Sequence, residues 1–461
     1  MMPGDSSQTL VEKCVQWATS RIHEQVFRAG MRMPSIRRLA LQQGVSPFTI
    51  VEAYERLVAS GYLEARRGSG FYVCPRVRNW NPRHGEQHTR IDLRWLTRHM
   101  LEGAATRGPG LGVLPPSWLY GAQLTTALRS IARQGAGRLF DHATHFGFAP
   151  LRSVVQYRLA QLDIVANPDQ VLLTTGVTHA LSLVLRAFVQ AGETVLMPDP
   201  FWFGAHGVLA AHGFNVVGVP CTREGMDIAM LEQLVREHRP KLLILSSAAH
   251  NPLGFSLSTA AIARILKIAR EHDLLIFEDD IYADLCNNPV PRLAAADQLQ
   301  HVLYAGSFSK TLSSNVRVGF VACRADRAQT LADAKILSGF TTPQLNERLV
   351  HKLLVEGRYD KHAAKLRRRL SLQRRKAKEL LTGYGIEIFG DPEDGMFFWI
   401  NMRTETNELA MRWREKGLLL APGSLFLHHQ TPSEWMRFNV TTPIDRSMTE
   451  LLNSVRPAAA L

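Results

Sequence analysis

The sequence predicts an α/β protein in two unlike parts: a small N-terminal winged helix-turn-helix, then a large, mostly parallel sheet covered by helices. Three observations predict it. Residues 33–73 read as two short helices joined by a tight turn, followed by strand, basic turn and strand. From residue 170 to 323, short apolar runs alternate with amphipathic stretches. Between these regions lies a basic segment poor in aliphatic residues. The expected divisions are a DNA-binding domain over 9–74, a linker over 75–105 and a ligand-binding domain over 106–455.

The bulk properties agree with such a layout. The 461 residues are too many for one ordinary domain, and 46% hydrophobic residues with 21% charged suit a water-soluble chain. The start, MMPGDSSQTLVEKC, has no apolar core of a signal peptide, and no run is long enough to span a membrane, so the expected place is the cytoplasm. Five scattered cysteines form no CxxC pair, which predicts neither disulfides nor a metal site. The net charge of +13 favours polyanions but does not by itself choose among them.

The elements follow in order. Val11, Cys14, Val15, Ala18 and Ile22 recur at helical spacing. Ser35 is placed to cap a second helix that Gly44 ends, and Ser46 a third that opens on Pro47. That third helix puts Ile50, Ala53, Tyr54, Leu57 and Val58 on one stripe. YLEARRGSGFYV then reads as the wing. The segments MPSIRRLA, GVSPFTIVEAYERLVASGYL and RRGSGFYV resemble the GntR-type bacterial regulators. The resemblance implies that Arg37, Arg38, Ser46, Phe48, Thr49, Arg66, Arg67 and Gly68 lie nearest double-stranded DNA. One departure stands out: Pro47-Phe48 occupies the place of the family's usual basic or polar pair.

In the second part, QVLLTTG, ETVLMPD, NVVGVP, KLLILSSAA, DLLIFEDD, HVLYAGSFS and VRVGFVAC read as seven buried strands. Ligands of such sheets sit beyond the strands' carboxyl ends. Those ends carry Gly176-Val177-Thr178 opening a helix, Trp202, Asn251, Asp279 with Tyr282, and Ser307 with Lys310 and then Arg317. A phosphate-suited helix start, an aromatic, an amide, a carboxylate and a lysine together match the needs of pyridoxal 5′-phosphate. Its aldehyde forms a Schiff base with a lysine, and its ring nitrogen needs a carboxylate. The basic run KLRRRLSLQRRKAK over 365–378 reads as a solvated helix face or an auxiliary anion surface.

These motifs resemble the fold-type I aminotransferases over most of 106–455, which implies a seven-stranded large sheet and a small C-terminal α+β subdomain. The resemblance implies a role for each residue. Lys310 is the Schiff-base lysine, Asp279 the ring-nitrogen partner, Tyr282 and Asn251 the partners of the phenolic oxygen, and Trp202 the stacking ring. Val177, Thr178, Ser307 and Arg317 become phosphate binders, and Arg437 the substrate-carboxylate arginine. His142 stands where the family has a tyrosine that reaches the neighbouring subunit's phosphate.

The two halves together resemble the MocR subfamily of regulators. That implies a head-to-tail homodimer that regulates transcription by sensing PLP, or an amino compound reacting with PLP at Lys310. A different class stays open: a working aminotransferase with a DNA-binding appendage.

Overall fold

The computed structural model describes residues 9–23, 26–66, 68–74, 91–101, 107–133, 143–287, 290–356 and 358–456. Contacts divide the chain into two units, Met1–Thr89 and Arg90–Leu461.

The first unit runs α1 (Leu10–His23), α2 (Ile36–Gln43), α3 (Pro47–Ala59), β1 (Leu63–Arg66) and β2 (Gly70–Val73). Ser35 Oγ accepts the Arg38 N–H at 3.4 Å, and Gly44, at φ 68°, ends α2. Ser46 Oγ accepts the Thr49 N–H at 3.1 Å, with Pro47 at the first helical position. Between those caps only Val45 remains, so the turn is tight. Ile50, Ala53, Tyr54 and Leu57 of α3 pack on Cys14, Ala18 and Ile22 of α1. Tyr54 ties the parts together: its hydroxyl donates to Pro34 O at 2.8 Å, and its ring lies 4.9 Å from Phe71 in the wing. The wing strands pair antiparallel from Leu63↔Val73 to Arg66↔Gly70. Gly68 and Gly70 hold φ of 74° and 102°, which a side chain at either place would resist.

The second unit opens on α4 (Leu93–Leu101), inside the region expected to be an extended linker. Trp95 and Leu96 are buried in the unit's core, so the connector ends earlier than composition implied. The flanking arginines and histidines hid a short apolar face. The rest of that linker, apart from residues 91 and 92, lies outside the described residues, at 75–90 and 102–105.

Helices α5 (Gly121–Ala132) and α6 (Ala149–Ala160) lead to β3 (Val171–Thr174), α7 (Val177–Phe188), β4 (Thr194–Asp199), α8 (Phe203–Ala210), β5 (Asn215–Thr222) and β6 (Gly225–Met226). There follow α9 (Ile228–His238), β7 (Leu242–Leu245), α10 (Thr259–His272), β8 (Leu275–Asp279), α11 (Leu293–Asp297), β9 (Val302–Ser307) and β10 (Gly319–Ala322). The sheet order is β3-β10-β9-β8-β7-β4-β5-β6. The seven predicted strands are all present, and the two-residue β6 adds an eighth at the edge. The core pairs β9/β8, β8/β7, β7/β4 and β4/β5 are parallel, whereas β10 runs antiparallel to both neighbours.

Helices α12 (Ala325–Gly339), α13 (Gln344–Val355) and α14 (Tyr359–Gly383) precede the C-terminal subdomain. That subdomain contains β11 (Glu387–Ile388), β12 (Phe397–Asn401), α15 (Thr406–Glu415), β13 (Ala421–Pro422), β14 (Trp435–Asn439) and α16 (Arg446–Ser454). Its sheet is antiparallel in the order β11-β12-β14-β13. The basic run lies on α14 and is only partly a solvated face. Arg374 is buried and donates to the carbonyls of Glu393 and Gly395, Arg367 donates to Asp284 O, and Lys378 pairs with Asp391.

Strand alternation sorts the three consecutive acids at the end of β8. Glu278 points toward α11 and accepts the N–H groups of Leu293 and Ala294 at 3.0 and 2.8 Å. Asp280, next in that direction, accepts Arg292 Nε at 2.8 Å and the Tyr304 hydroxyl at 2.7 Å. Asp279 is left on the opposite face. Both outer acids are therefore structural. Replacing Arg292 by Met strands the buried Asp280 carboxylate, and a loss of ~3–5 kcal/mol is expected. Urea unfolding followed by tryptophan fluorescence checks this; an unchanged midpoint would refute it.

Candidate functional site

Asp279, Tyr282, Asn251, Trp202, Val177, Thr178, Lys310 and Arg437 line one cavity, with Met100, Gly112, Phe203, Ser246 and Ile281. Val177, Thr178, Trp202, Asn251, Asp279, Tyr282 and Lys310 come from the ends of large-sheet strands or the segments after them, whereas Arg437 comes from within β14 and Met100 from α4. Asp279 closes β8, and its Oδ1 accepts the Ile281 N–H at 3.1 Å. Burial pushes its carboxyl up to about 7; the Ile281 N–H and the Lys310 charge oppose that rise. Tyr282, also buried, lies beside the Asn251 side chain in the same cavity.

Lys310 follows β9, and its Nζ donates to Gly112 O. Burial lowers the amine to about 8; Arg437 and Arg317 add to the fall, and Asp279 resists it. Lys310, shortly after an apolar strand, thus faces a low-dielectric chamber in which its neutral form is accessible near physiological pH.

Arg437 enters from β14 of the C-terminal subdomain and is 1% exposed. It meets no carboxylate among its described contacts. Nη2 donates to Gly110 O at 2.8 Å and Nη1 to Asn251 Oδ1 at 3.3 Å, and Nε has no partner among the described residues. Its guanidinium lies 4.3 Å from the Phe397 ring centre and 5.1 Å from that of Phe426. Burial draws its pKa down to about 10.

Gly176, at φ 101°, starts α7, and a Cβ there would stand 3.1 Å from Arg317 Nη2. The absent side chain lets this guanidinium approach the head of α7, whose first-turn N–H groups have no helical acceptor. His179 Nδ1 accepts the Thr175 N–H at 3.1 Å; burial lowers its pKa to about 4, so it stays a neutral acceptor. Ser307, expected beside the phosphate, lines a neighbouring cavity instead. Its hydroxyl donates to Val318 O at 3.1 Å and bonds Ser309 at 3.0 Å. His142 lies outside the described residues.

Sequence reasoning missed the chain that covers this chamber. Gly110 O holds Arg437, Gly112 O holds Lys310, and the carbonyls of Leu111 and Val113 hold Asn439 Nδ2 at 2.9 and 3.0 Å. The repeated glycines of GPGLG were the available signal: a Cβ at Gly108 or Gly110 would overlap the backbone of Leu419 or Leu420.

In the first unit, Arg37, Arg38, Ser46 and Phe48 are exposed around the starts of α2 and α3, and Thr49 is half-buried. Phe48 is not a core residue. Arg66 in the wing pairs with Glu64 and lies 4.3 Å over the Tyr72 ring, beside exposed Gly68. Arg67 lies outside the described residues.

The profile of the family "Aminotransferase class I and II" matches residues 139–455. The chain belongs to that family. A second profile, "Bacterial regulatory proteins, gntR family", matches 15–73, so this aminotransferase-family chain carries a GntR-type DNA-binding domain, the MocR layout. It is 28% identical over 448 residues to the uncharacterized HTH-type transcriptional regulator YdcR of Escherichia coli, covering 93% of this chain and 95% of that one. It is 24% identical over 419 residues to the HTH-type transcriptional regulator NorG of Staphylococcus aureus, covering 86% and 92%. The 2-aminoadipate transaminase of Thermus thermophilus is 30% identical over 386 residues, covering 80% and 94%. Among solved structures, LysN of Thermus thermophilus, complexed with N-(5′-phosphopyridoxyl)-L-leucine, matches with TM-score 0.71 and 27% identity, covering 78% and 93%.

Aminotransferases of this family work with PLP, and the residues present fit that cofactor. The cavity offers a lysine with a lowered pKa, a buried carboxyl facing it, an amide–phenol pair, and an anion cradle that a Cβ at Gly176 would crowd. Among the described residues no helix is long and apolar enough to cross a membrane, and no cluster of metal-binding side chains occurs.

A lysine at about 8 reacts differently from an ordinary one. Only the neutral amine attacks an electrophile, so reductive methylation of Lys310 should rise to about pH 8 and then level off. Exposed lysines keep rising toward ~10.4. Mass spectrometry of peptides labelled across a pH series checks this, and a Lys310 profile matching the exposed lysines would refute it.

Proposed function

We propose that this GntR-type regulator binds PLP at Lys310 and controls transcription through an amino compound that carries a carboxylate. The observation that carries the reading is the fully buried Arg437, which has main-chain and amide acceptors where a carboxylate would suit it better. When bound, PLP supplies an aldehyde that condenses with primary amines and a ring that withdraws electrons. Lys310 is the residue placed to hold it, Asp279 to share the ring-nitrogen proton, and Tyr282 with Asn251 to bond the phenolic oxygen. Trp202 would stack on the ring. Val177, Thr178 and Arg317 would take the phosphate, with Ser307 adjoining and His142 approaching from a second copy.

The same chamber supplies the signal. Lys310 must give up Gly112 O to react, and Arg437 must give up Gly110 O to grip a carboxylate. Both carbonyls lie on one strap, residues 108–113, which follows α4 in the chain. The strap and α4 are the first described elements after the segment that joins the two units. Ligand binding therefore loosens the part of the second unit closest in sequence to the DNA-binding domain. The effector shifts this equilibrium only through its different affinity for the seated and released strap.

The protein acts in the cytoplasm as a homodimer, with the two chains packed head to tail. One winged helix reads only a half-site, and exposed Leu337 and Phe340 at the end of α12 give apolar surface for a second copy to cover. A second reading, a working aminotransferase of amino acids, is favoured by the 30% identity to a transaminase. Sustained amino-group transfer to a keto acid distinguishes it; a single spectral change without turnover favours the regulator.

Two variants test the proposal. Lys310→Ala should abolish the visible absorbance of lysine-bound cofactor, and an unchanged spectrum would overturn the PLP assignment. Arg437→Gln should keep that absorbance but lose the response to amino acids. The response is read as the change in absorbance and in retention of sheared genomic DNA on adding an amino-acid panel. An intact response in this variant would remove Arg437 from the mechanism.

A further inference from the structure

The first turn of α3 presents a large apolar group where a reading head is expected to be polar. Phe48 is 77% exposed, one of the most exposed large hydrophobic side chains among the described residues. It stands at the second position of the helix, next to Pro47. The neighbouring hydroxyls are turned on each other: Ser46 Oγ accepts the Thr49 N–H at 3.1 Å and bonds Thr49 Oγ1 at 2.8 Å. A turn further on, Glu52 holds Arg56 at 2.7 Å, and Glu55 is exposed. The face around Phe48 therefore carries apolar surface and carboxylates, and its one cation is already paired.

That surface is poorly suited to guanine. Guanine offers two acceptors in the major groove and is read by unpaired arginine or lysine, whereas carboxylates there would meet acceptor with acceptor. Thymine alone among the unmodified bases offers a methyl group in that groove. The N-terminal residues of a recognition helix are those that reach base edges. Exposed Arg37 and Arg38 at the start of α2 supply cations for the phosphates without help from α3.

We infer that Phe48 is a specificity-determining residue that reads a thymine methyl group in each half-site, in place of a hydrogen-bonding side chain. This rests on the DNA-binding reading and adds the chemistry by which bases are chosen. Burying one methyl group against the ring corresponds to roughly fourfold in affinity.

The test uses the full chain and a randomised duplex library. The enriched sequence is resynthesised with each thymine replaced in turn by deoxyuridine, which removes only the methyl group. At one thymine per half-site, uracil should weaken binding about fourfold. Phe48→Ala should bind the thymine and uracil duplexes equally at that position, and Phe48→Leu should keep the difference. Because Phe48 is exposed, both variants should unfold at the wild-type temperature. Uracil tolerated at every thymine, or a uracil penalty that persists in Phe48→Ala, would overturn the inference while leaving DNA binding intact. A library with no enriched sequence would overturn the DNA-binding reading itself, and this inference with it.

Discussion

Two cations buried in one apolar chamber, Lys310 and Arg437, set the terms for everything around them. Removing a charge from water is costly unless other groups replace its hydration. Among the described contacts no carboxylate does so for Arg437, and Asp279 itself is pushed up to about 7 by burial, so it is a weak counter-ion. The replacement comes from backbone carbonyls of residues 110 and 112, and from the aromatic faces of Phe397 and Phe426. These partners are neutral. They hold the guanidinium without quenching it, so the site keeps a preference for an anion, and burial leaves the neutral Lys310 amine accessible to an aldehyde.

The fold's part is to bring these groups together from distant positions. Parallel strands align their carboxyl ends, and the antiparallel β10 returns the chain so that Arg317 reaches the head of α7. Close packing is needed at that junction. Gly306 and Gly319 sit where a Cβ would overlap the Phe320 ring or the Gly176 backbone. Another buried cation, Lys335, donates to Leu173 O at 2.8 Å in β3 and to Thr342 Oγ1 at 3.2 Å. The hydroxyl of Thr342 bonds Glu347, whose other oxygen accepts the Phe148 N–H. This network fixes the strand that leads into the head of α7, so the shape of that junction is set from behind by polar contacts as well as by packing.

Much of this was legible in the sequence because strands and caps are local. Ser35, Gly44, Ser46 and Pro47 bound their helices by side chains that bond within a few residues. The seven strands announce themselves as apolar runs. The site was legible where a residue stands at a strand end, as do Asp279 and Lys310. It was not legible where a partner is a backbone carbonyl, which every residue possesses; nothing in Gly110 or Gly112 says which cation it will meet. Ser307 shows the converse. Its position near Lys310 in sequence pointed to the phosphate, but does not reveal that the antiparallel return of β10 brings Val318 O within 3.1 Å of its hydroxyl. Helix α4 was hidden because its stabilising face is two buried residues among charges, and only tertiary packing makes it pay.

The use of carbonyls as stand-ins also decides what kind of switch this chain can be. A strap held by salt bridges would need a competing ion pair to release it. A strap held by neutral carbonyls yields to a ligand that offers a full negative charge, because charge-assisted bonds are roughly twice as strong as neutral ones. A neutral amine lacking a carboxylate would offer Arg437 no better acceptor than Gly110 O, and that part of the strap would stay seated. An amino acid would bring the carboxylate that competes with Gly110 O for Arg437. On the proposed reading, Asn439 Nδ2 still holds the carbonyls of Leu111 and Val113, while the carboxylate sets the discrimination at Arg437. Its size is bounded by the difference in affinity between seated and released strap, so a strap seated too firmly would be deaf to its ligand and one seated too loosely would always report it.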